Sequence, residues 1–341
     1  MFSFECDYLQ GCHPKILEAL SATNLVTQPG YSNDIWCRSA AEKIKAAFDA
    51  PHHDVYFLTG GTQTNAVIID SLTKPYEGVI SADTGHVNVH EAGAIEHTGH
   101  KVLALPHHDG KLNAAEVDAY IQNFYADPSW THMVKPGMVY VSHPTEYGTL
   151  YTAAELTALS EVCRRWEIPL FLDGARLGYG LMSRDTDVTP ALLAQLCDVF
   201  YIGGTKVGAL CGEAVVFRPN LMPAQFPTIV KQHGAMVAKG RVLGVQFDAL
   251  FTDGLYFEIS KNAIDMAQKM KALFIRKGYT FFKETPTNQQ FILLSDEQMA
   301  RLEPLVGFSV WEKADATHTV VRFATCWATT DEDLKKLEEI L

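Results

Sequence analysis

The chain has 341 residues, 47% of them hydrophobic, enough for a large core shared between two lobes. Its 40 acidic residues outnumber its 28 basic ones for a net charge of -12, which speaks against nucleic acid or an anionic membrane as partner, since both need clustered Lys and Arg. No basic region followed by an apolar one opens the chain, no apolar run reaches membrane length, and seven cysteines without paired spacing read as reduced thiols, so a cytoplasmic protein is expected.

Residues 1–45 read as an N-terminal arm and helix, rich in Gly, Pro and Asn, with little core of its own. From about Asp54 to Phe217, strand-like runs alternate with helical patterns, the signature of βαβ units. Strands are expected at 55–59, 78–81, 102–105, 138–142, 170–172, 199–202 and 213–217. The first runs into Gly60-Gly-Thr-Gln-Thr-Asn65, a small-residue turn that opens a helix. Backbone N–H groups and the positive helix end can hold a phosphate there, with the Thr62 and Thr64 hydroxyls adding bonds. The turn is neither a Walker A loop nor G-x-G-x-x-G. Thr152-Ala-Ala-Glu155 is a capping box, and Leu156, Leu159, Cys163 and Trp166 follow at helical spacing as the core face of a crossover helix.

Beyond Gly254 the pattern changes to a long helix over 257–277, short strands, and a last helix after the cap at 329–332. In 319–327 the alternation sets Val321, Phe323, Thr325 and Trp327 on one face and Arg322 on the other. The expected architecture is α/β: a large domain over 46–254 with a mainly parallel sheet and flanking helices, then a smaller α+β domain over 255–341.

Two segments carry the chemistry. Pro169-Leu-Phe-Leu-Asp-Gly-Ala-Arg176 reads as a buried strand delivering a carboxylate at its carboxyl end, where open α/β sheets bind ligands. Gly203-Gly-Thr-Lys206 reads as a strand end delivering a lysine into the same crevice. A lysine that holds pyridoxal phosphate as a Schiff base, with an aspartate paired to the pyridinium nitrogen, is the protein side of that cofactor's chemistry. Alone, Asp-Gly is a turn signal and Lys206 a loop lysine; the anion-binding turn upstream joins them. The stretch holding His86, His90, His97, His100, His107 and His108 offers a competing reading as a metal cluster. It has neither H-E-x-x-H nor a cysteine partner, and no metal is expected.

The ordered set Gly60-Gly-Thr-Gln-Thr-Asn65, Gly85-His86 to Glu91-Ala-Gly93, Asp173-Gly-Ala-Arg176, Thr205-Lys206 and Arg322 resembles the low-specificity threonine aldolases. These belong with the aromatic amino-acid β-eliminating lyases among fold type I pyridoxal-phosphate enzymes, and the resemblance runs over nearly the whole chain. It implies that Lys206 is the Schiff-base lysine and Asp173 the partner of the ring nitrogen. His86 would stack on the ring, with Glu91 nearby to orient it, and the turn at Gly61 and Thr62 would meet the phosphate. Arg176 and Arg322 would bind the substrate carboxylate, a task suited to the guanidinium fork. A basic residue of the loop 232–241 would add to the phosphate site; the spacing leaves Lys239 and Arg241 both open, with Lys239 preferred. Tyr31 would serve the neighbouring subunit of a homodimer or homotetramer, and Cys6, before Asp7, would stand near the substrate. Glu146 occupies a place where many such enzymes carry a histidine close to the substrate hydroxyl, and becomes the candidate proton acceptor. The implied reaction is cleavage of L-threonine or a related L-3-hydroxy-α-amino acid to glycine and an aldehyde. The alternatives are β-elimination from an aromatic or sulfur amino acid and, in another class, a metal-binding protein using residues 86–108.

Overall fold

Seven strands build the main sheet in the computed structural model, which describes residues 2–341. They are β1 (Asp54–Leu58), β2 (Glu77–Ala82), β3 (Val102–Leu105), β4 (Lys135–Ser142), β5 (Leu170–Asp173), β6 (Val199–Gly203) and β7 (Glu213–Phe217), in the order β1-β7-β6-β5-β4-β2-β3. The central strands pair in parallel, while β7 runs antiparallel between β1 and β6. The expected α/β class and mainly parallel sheet are borne out. β4 starts earlier than expected, at Lys135: Pro136 and Gly137 read as breakers but sit at the strand's beginning, where both are tolerated. The ion pair of Lys135 with Glu77 on β2, 2.8 Å, ties that end down.

Both faces of the sheet are covered, so alternate residues of each strand enter different cores. Val139, Val141, Leu170, Leu172, Phe200 and Ile202 face one core. Met138, Tyr140, Phe171, Val199 and Tyr201 face the other, against Ala66, Val67, Ile68 and Ile69 of the helix Gly61–Leu72. Period two then sends Asp173, two residues beyond Phe171, to the same side as Tyr140 and Tyr201. That parity builds the site described below.

The smaller sheet comprises β8 (Thr280–Lys283), β9 (Gln289–Ser295), β10 (Ser309–Lys313) and β11 (His318–Ala324), antiparallel in the order β10-β11-β9-β8. Its inner face packs Ile292, Leu294, Val321 and Phe323 on Met266, Met270 and Phe274 of the long helix Leu255–Arg276. Arg322 turns to the opposite face, as its place in the alternation requires. The crossover helix Ala153–Arg165 carries the Thr152/Glu155 capping box, and the last helix, Asp331–Ile340, is capped by Thr330 rather than Thr329.

The N-terminal arm is better anchored than its composition suggests. The helices Pro14–Thr23 and Ile35–Ala47 pack on the helix Arg241–Leu250, where any side chain at position 244 would collide with Cys37. Phe4 joins the small-lobe core, and its N–H donates to the Gly307 carbonyl at 2.8 Å. Phe2 and Phe4 are two isolated aromatics and give no periodicity, so this contact leaves no trace in the pattern. Among the described residues no helix is long and apolar enough to cross a membrane.

Candidate active site

The ends of β5 and β6 approach so closely that a side chain at Gly174 would meet the Tyr201 carbonyl, and one at Gly203 the Ala175 backbone. This crossing brings Asp173 and Lys206 to one crevice.

Asp173 is buried and fully bonded. Tyr201 donates to Oδ1 at 2.5 Å and the Ala175 N–H at 3.0 Å, while Tyr140 donates to Oδ2 at 2.6 Å and Asn65 at 3.0 Å. Burial works against its charge, but the neighbouring His86 and these donors outweigh it and hold the carboxyl below its ordinary range. Asn65, in the first turns of the helix Gly61–Leu72, also donates to Glu91 at 2.7 Å, and Glu91 in turn holds His86 Nδ1 at 2.7 Å. One amide therefore ties the β5 carboxylate to the His86 ring.

Lys206 keeps part of its surface open to the cavity. Burial and the adjacent Arg176 charge push its pKa down, against the pull of Asp7, Asp173 and Glu213. A desolvated lysine beside another cation is an activated amine nucleophile. Glu213, the first residue of β7, lies behind it: Thr205 Oγ1 donates to its Oε1 at 2.8 Å and the Gly204 N–H to its Oε2 at 3.1 Å. Burial pushes this carboxyl up to about 8, though Thr205, Lys206 and Gly204 pull it down. Glu213 thereby fastens the two residues that precede the lysine.

The two arginines differ in kind. Arg176 makes a paired bond to Asp7, 2.6 and 3.0 Å, and Asn288 donates to the same carboxylate at 2.9 Å. Burial alone would raise the Asp7 carboxyl, yet Arg176 brings it down to about 2. Arg322 has only neutral acceptors, Gln289 at 3.0 Å, Ser309 at 3.1 Å and the Glu5 carbonyl at 3.3 Å, and its buried Nε has none. A largely buried guanidinium without a carboxylate is the open anion site of the two.

Glu146 accepts the His86 backbone N–H at 2.9 Å and the Ser142 hydroxyl at 2.6 Å, both on Oε1, and burial raises its pKa. Its neighbour His143 faces away, fully buried with both ring nitrogens unpartnered, and burial lowers it to about 4. Lys206, Arg176, Arg322, His86 and Glu146 line one cavity of about 560 Å³, walled also by Tyr8, His90, Tyr147 and Trp311. An inner recess adds Gly61, Asp173 and Tyr201.

A family model described as "Beta-eliminating lyase" matches residues 5–297. The chain belongs to the β-eliminating lyase family. The low-specificity L-threonine aldolase of Pseudomonas sp. (strain NCIMB 10558) is 31% identical over 304 residues, covering 88% of this chain and 86% of that protein. A solved Leishmania major threonine aldolase is 38% identical, superposes with a TM-score of 0.95, and covers 100% of this chain and 98% of its own. The aspartate aminotransferase of Thermus thermophilus, 14% identical with a TM-score of 0.71 over 100% of this chain and 92% of its own, shares the fold.

Several residues singled out in the sequence lie outside the cavity of this lyase chain. Tyr31 is 49% exposed, with its N–H on the Ala238 carbonyl at 3.0 Å. Lys239 is exposed beside it. Arg241 donates to the carbonyls of Val26 and Thr23 and stacks on Trp36 at 4.4 Å, so its guanidinium fastens the arm. Cys6 is buried among Phe4, Gln10 and Cys326 instead of facing Lys206. Thr62 is exposed at the head of its helix, whereas Thr64 is buried with an unpartnered hydroxyl. The histidines disperse: His100 bonds Thr73 and the Glu77 carbonyl, His107 bonds Asp83 and His108 bonds Glu116. Among the described residues no three His, Cys, Asp or Glu side chains converge as metal ligands.

Sequence reasoning assigned no role to Tyr140, Tyr201, Asn65, Asp7 or Glu213. Two carried a signal: Asn65 closes the small-residue motif and Asp7 follows Cys6. Tyr140 and Tyr201 look like ordinary strand aromatics until strand parity is known.

Proposed function

We propose that this chain is a pyridoxal-phosphate-dependent lyase that cleaves L-threonine or a related L-3-hydroxy-α-amino acid to glycine and an aldehyde. The observation that carries the reading is the convergence of an ionised buried carboxylate, a depressed-pKa lysine and a guanidinium with no carboxylate bonded to it on one cavity and its inner recess. The relatives named as threonine aldolases support it.

The residues present fit the cofactor. Asp173 is already charged, and a cationic ring N–H would replace one of its neutral hydroxyl donors with a stronger, charge-assisted bond. The helix Gly61–Leu72 has no side-chain cap, which leaves the first-turn N–H groups at Gly61 and Thr62 for a phosphate, with the orphaned Thr64 hydroxyl close by. Lys206 would hold the aldehyde carbon through its amine, and His86, fixed by Glu91, would cover the ring. When bound, pyridoxal phosphate supplies an electron sink for the pair left at Cα.

The chain's own groups account for the remaining steps. Arg322 binds the substrate carboxylate, and Arg176, locked by Asp7, supports it from beside Lys206. Glu146, positioned through Oε1 by Ser142 and the His86 N–H, takes the proton of the β-hydroxyl as the Cα–Cβ bond breaks. A proton returned to Cα completes glycine. Release of glycine and acetaldehyde from L-threonine by the cofactor-loaded protein tests the reading.

Glu146 must be ionised to accept a proton, and burial raises its pKa. Activity should therefore fall as pH drops through a value above the ordinary carboxylate range, and be restored above it. Glu146→Gln should lower kcat by about 100-fold or more and erase that acid limb. A pH–kcat profile with the limb intact in this variant would remove Glu146 from the proton transfer. For Arg322→Leu, KM for the amino acid should rise about 10- to 100-fold with a small change in kcat, because the carboxylate is bound alike in ground and transition states. A normal KM would leave Arg322 a structural role only.

The assembly reading extends this proposal. The arm exposes Leu25 (93%), Tyr31 and Ile35, with Tyr31 bonded next to Lys239, and a two-fold dimer or dimer of dimers would cover them and bring Tyr31 and Lys239 to a neighbour's phosphate site. With Arg241 engaged by the arm, Lys239 is the phosphate ligand of this proposal. Free thiols at all seven cysteines suit a reducing cytoplasm. Sedimentation of the cofactor-loaded protein checks the assembly, and an active monomer would contradict it.

A further inference from the structure

Between Val310 and Glu312 the pairing of β10 with β11 slips by one residue, so Trp311 is the extra residue of a β-bulge. Bulges re-aim side chains, and they concentrate beside functional sites. Here the bulge turns the indole into the cavity instead of along the sheet edge.

The indole is held from several sides. Phe291 of β9 meets it edge-on at 5.1 Å, Tyr147 at 5.8 Å and His90 at 6.0 Å, and the Arg322 guanidinium carbon lies 5.4 Å from its ring centroid. Tyr147 is itself stacked by His107 at 5.6 Å, and Asp83 fixes that imidazole at 2.6 Å. Val310, 61% exposed, adds an apolar edge. Burial and the neighbouring His86, Arg322, Arg176 and Lys206 lower the pKa of His90, which favours its neutral form. The cavity thus has a charged end, with Lys206, Arg176 and Arg322, and an aromatic wall beside Arg322.

The inference rests on the lyase reading. A substrate held by its amine at Lys206 and its carboxylate at Arg322 has only its Cβ substituent left to place. A methyl group covers little of an aromatic wall, while a planar ring can meet Trp311 and Tyr147 in the offset or edge-to-face geometries that aromatic pairs favour. We propose that Trp311, aimed by its bulge and flanked by Tyr147 and His90, is a specificity-determining residue that makes L-3-aryl-3-hydroxy-α-amino acids preferred over L-threonine. The reaction is unchanged: the hydroxyl proton leaves, Cα–Cβ breaks, an aryl aldehyde departs and a proton returns to Cα of glycine.

The experiment compares kcat/KM for L-phenylserine and L-threonine in the wild-type holoenzyme, Trp311→Ala and Trp311→Phe, with binding of the uncleavable ligands L-phenylalanine and L-alanine measured in parallel. Phenylserine should be favoured by about tenfold or more, and Trp311→Ala should collapse that ratio about tenfold with threonine turnover changed little, while the Phe variant retains most of it. Loss of both substrates in equal proportion would make Trp311 a support for Arg322 and overturn the proposal, as would a wild-type preference for threonine. Should the Ala variant fail to fold, equal binding of L-phenylalanine and L-alanine by the wild-type holoenzyme would overturn it. If neither substrate releases glycine but tighter binding of L-phenylalanine than L-alanine is lost in Trp311→Ala, the pocket stands and the lyase reading falls.

Discussion

Lys206→Ala is expected to abolish covalent retention of the cofactor and to lower turnover by on the order of 10⁴-fold or more, since among the described residues Lys206 is the lysine that lines the cavity and its recess. The fold should survive. The lysine is partly open to the cavity and desolvated beside Arg176, so removing its ammonium relieves a repulsion and breaks no core packing. The thermal midpoint should hold or rise slightly while visible absorbance and borohydride-reducible attachment disappear. Attachment that persists in this variant would assign the chemistry to another lysine.

Asp173→Asn should be nearly as damaging. Asn65, Tyr140, Tyr201 and the Ala175 N–H all donate to this side chain, so an amide NH₂ at one of its two branches would face donors in a buried pocket. That mismatch should cost about 1–3 kcal/mol of stability. Without the negative charge a protonated ring nitrogen loses its partner, and kcat should fall by about 100-fold or more with a smaller change in cofactor affinity. Stopped-flow turnover and thermal melts of the variant read the two effects separately; an unchanged kcat would remove Asp173 from the mechanism.

Why these residues were legible while their supports were not follows from how each signal is written. Asp173 and Lys206 sit at the ends of short apolar runs, where a change from β-branched and aromatic residues to Gly and a charge marks both a strand end and a site. Strand parity is a different matter. Tyr140 and Tyr201 lie in continuous apolar runs buried on both faces, where periodicity is silent about which core a side chain enters. Only the register of β4, β5 and β6 shows that both hydroxyls point at Asp173. The pairing of Arg176 with Asp7 spans 169 positions and closes through the arm, so no local pattern could announce it. The bulge at Trp311 depends on a partner strand and is invisible in an edge strand read alone. The resemblance located Arg322, and the structure distinguished it from Arg176 by its lack of a carboxylate partner.

The most direct test of the central reading is a product balance on the cofactor-loaded protein given L-threonine, with glycine, acetaldehyde, 2-ketobutyrate and ammonia measured together. Equal amounts of glycine and acetaldehyde, matching the threonine consumed, are the predicted result. 2-Ketobutyrate and ammonia in place of glycine would contradict it and assign the same cavity to β-elimination.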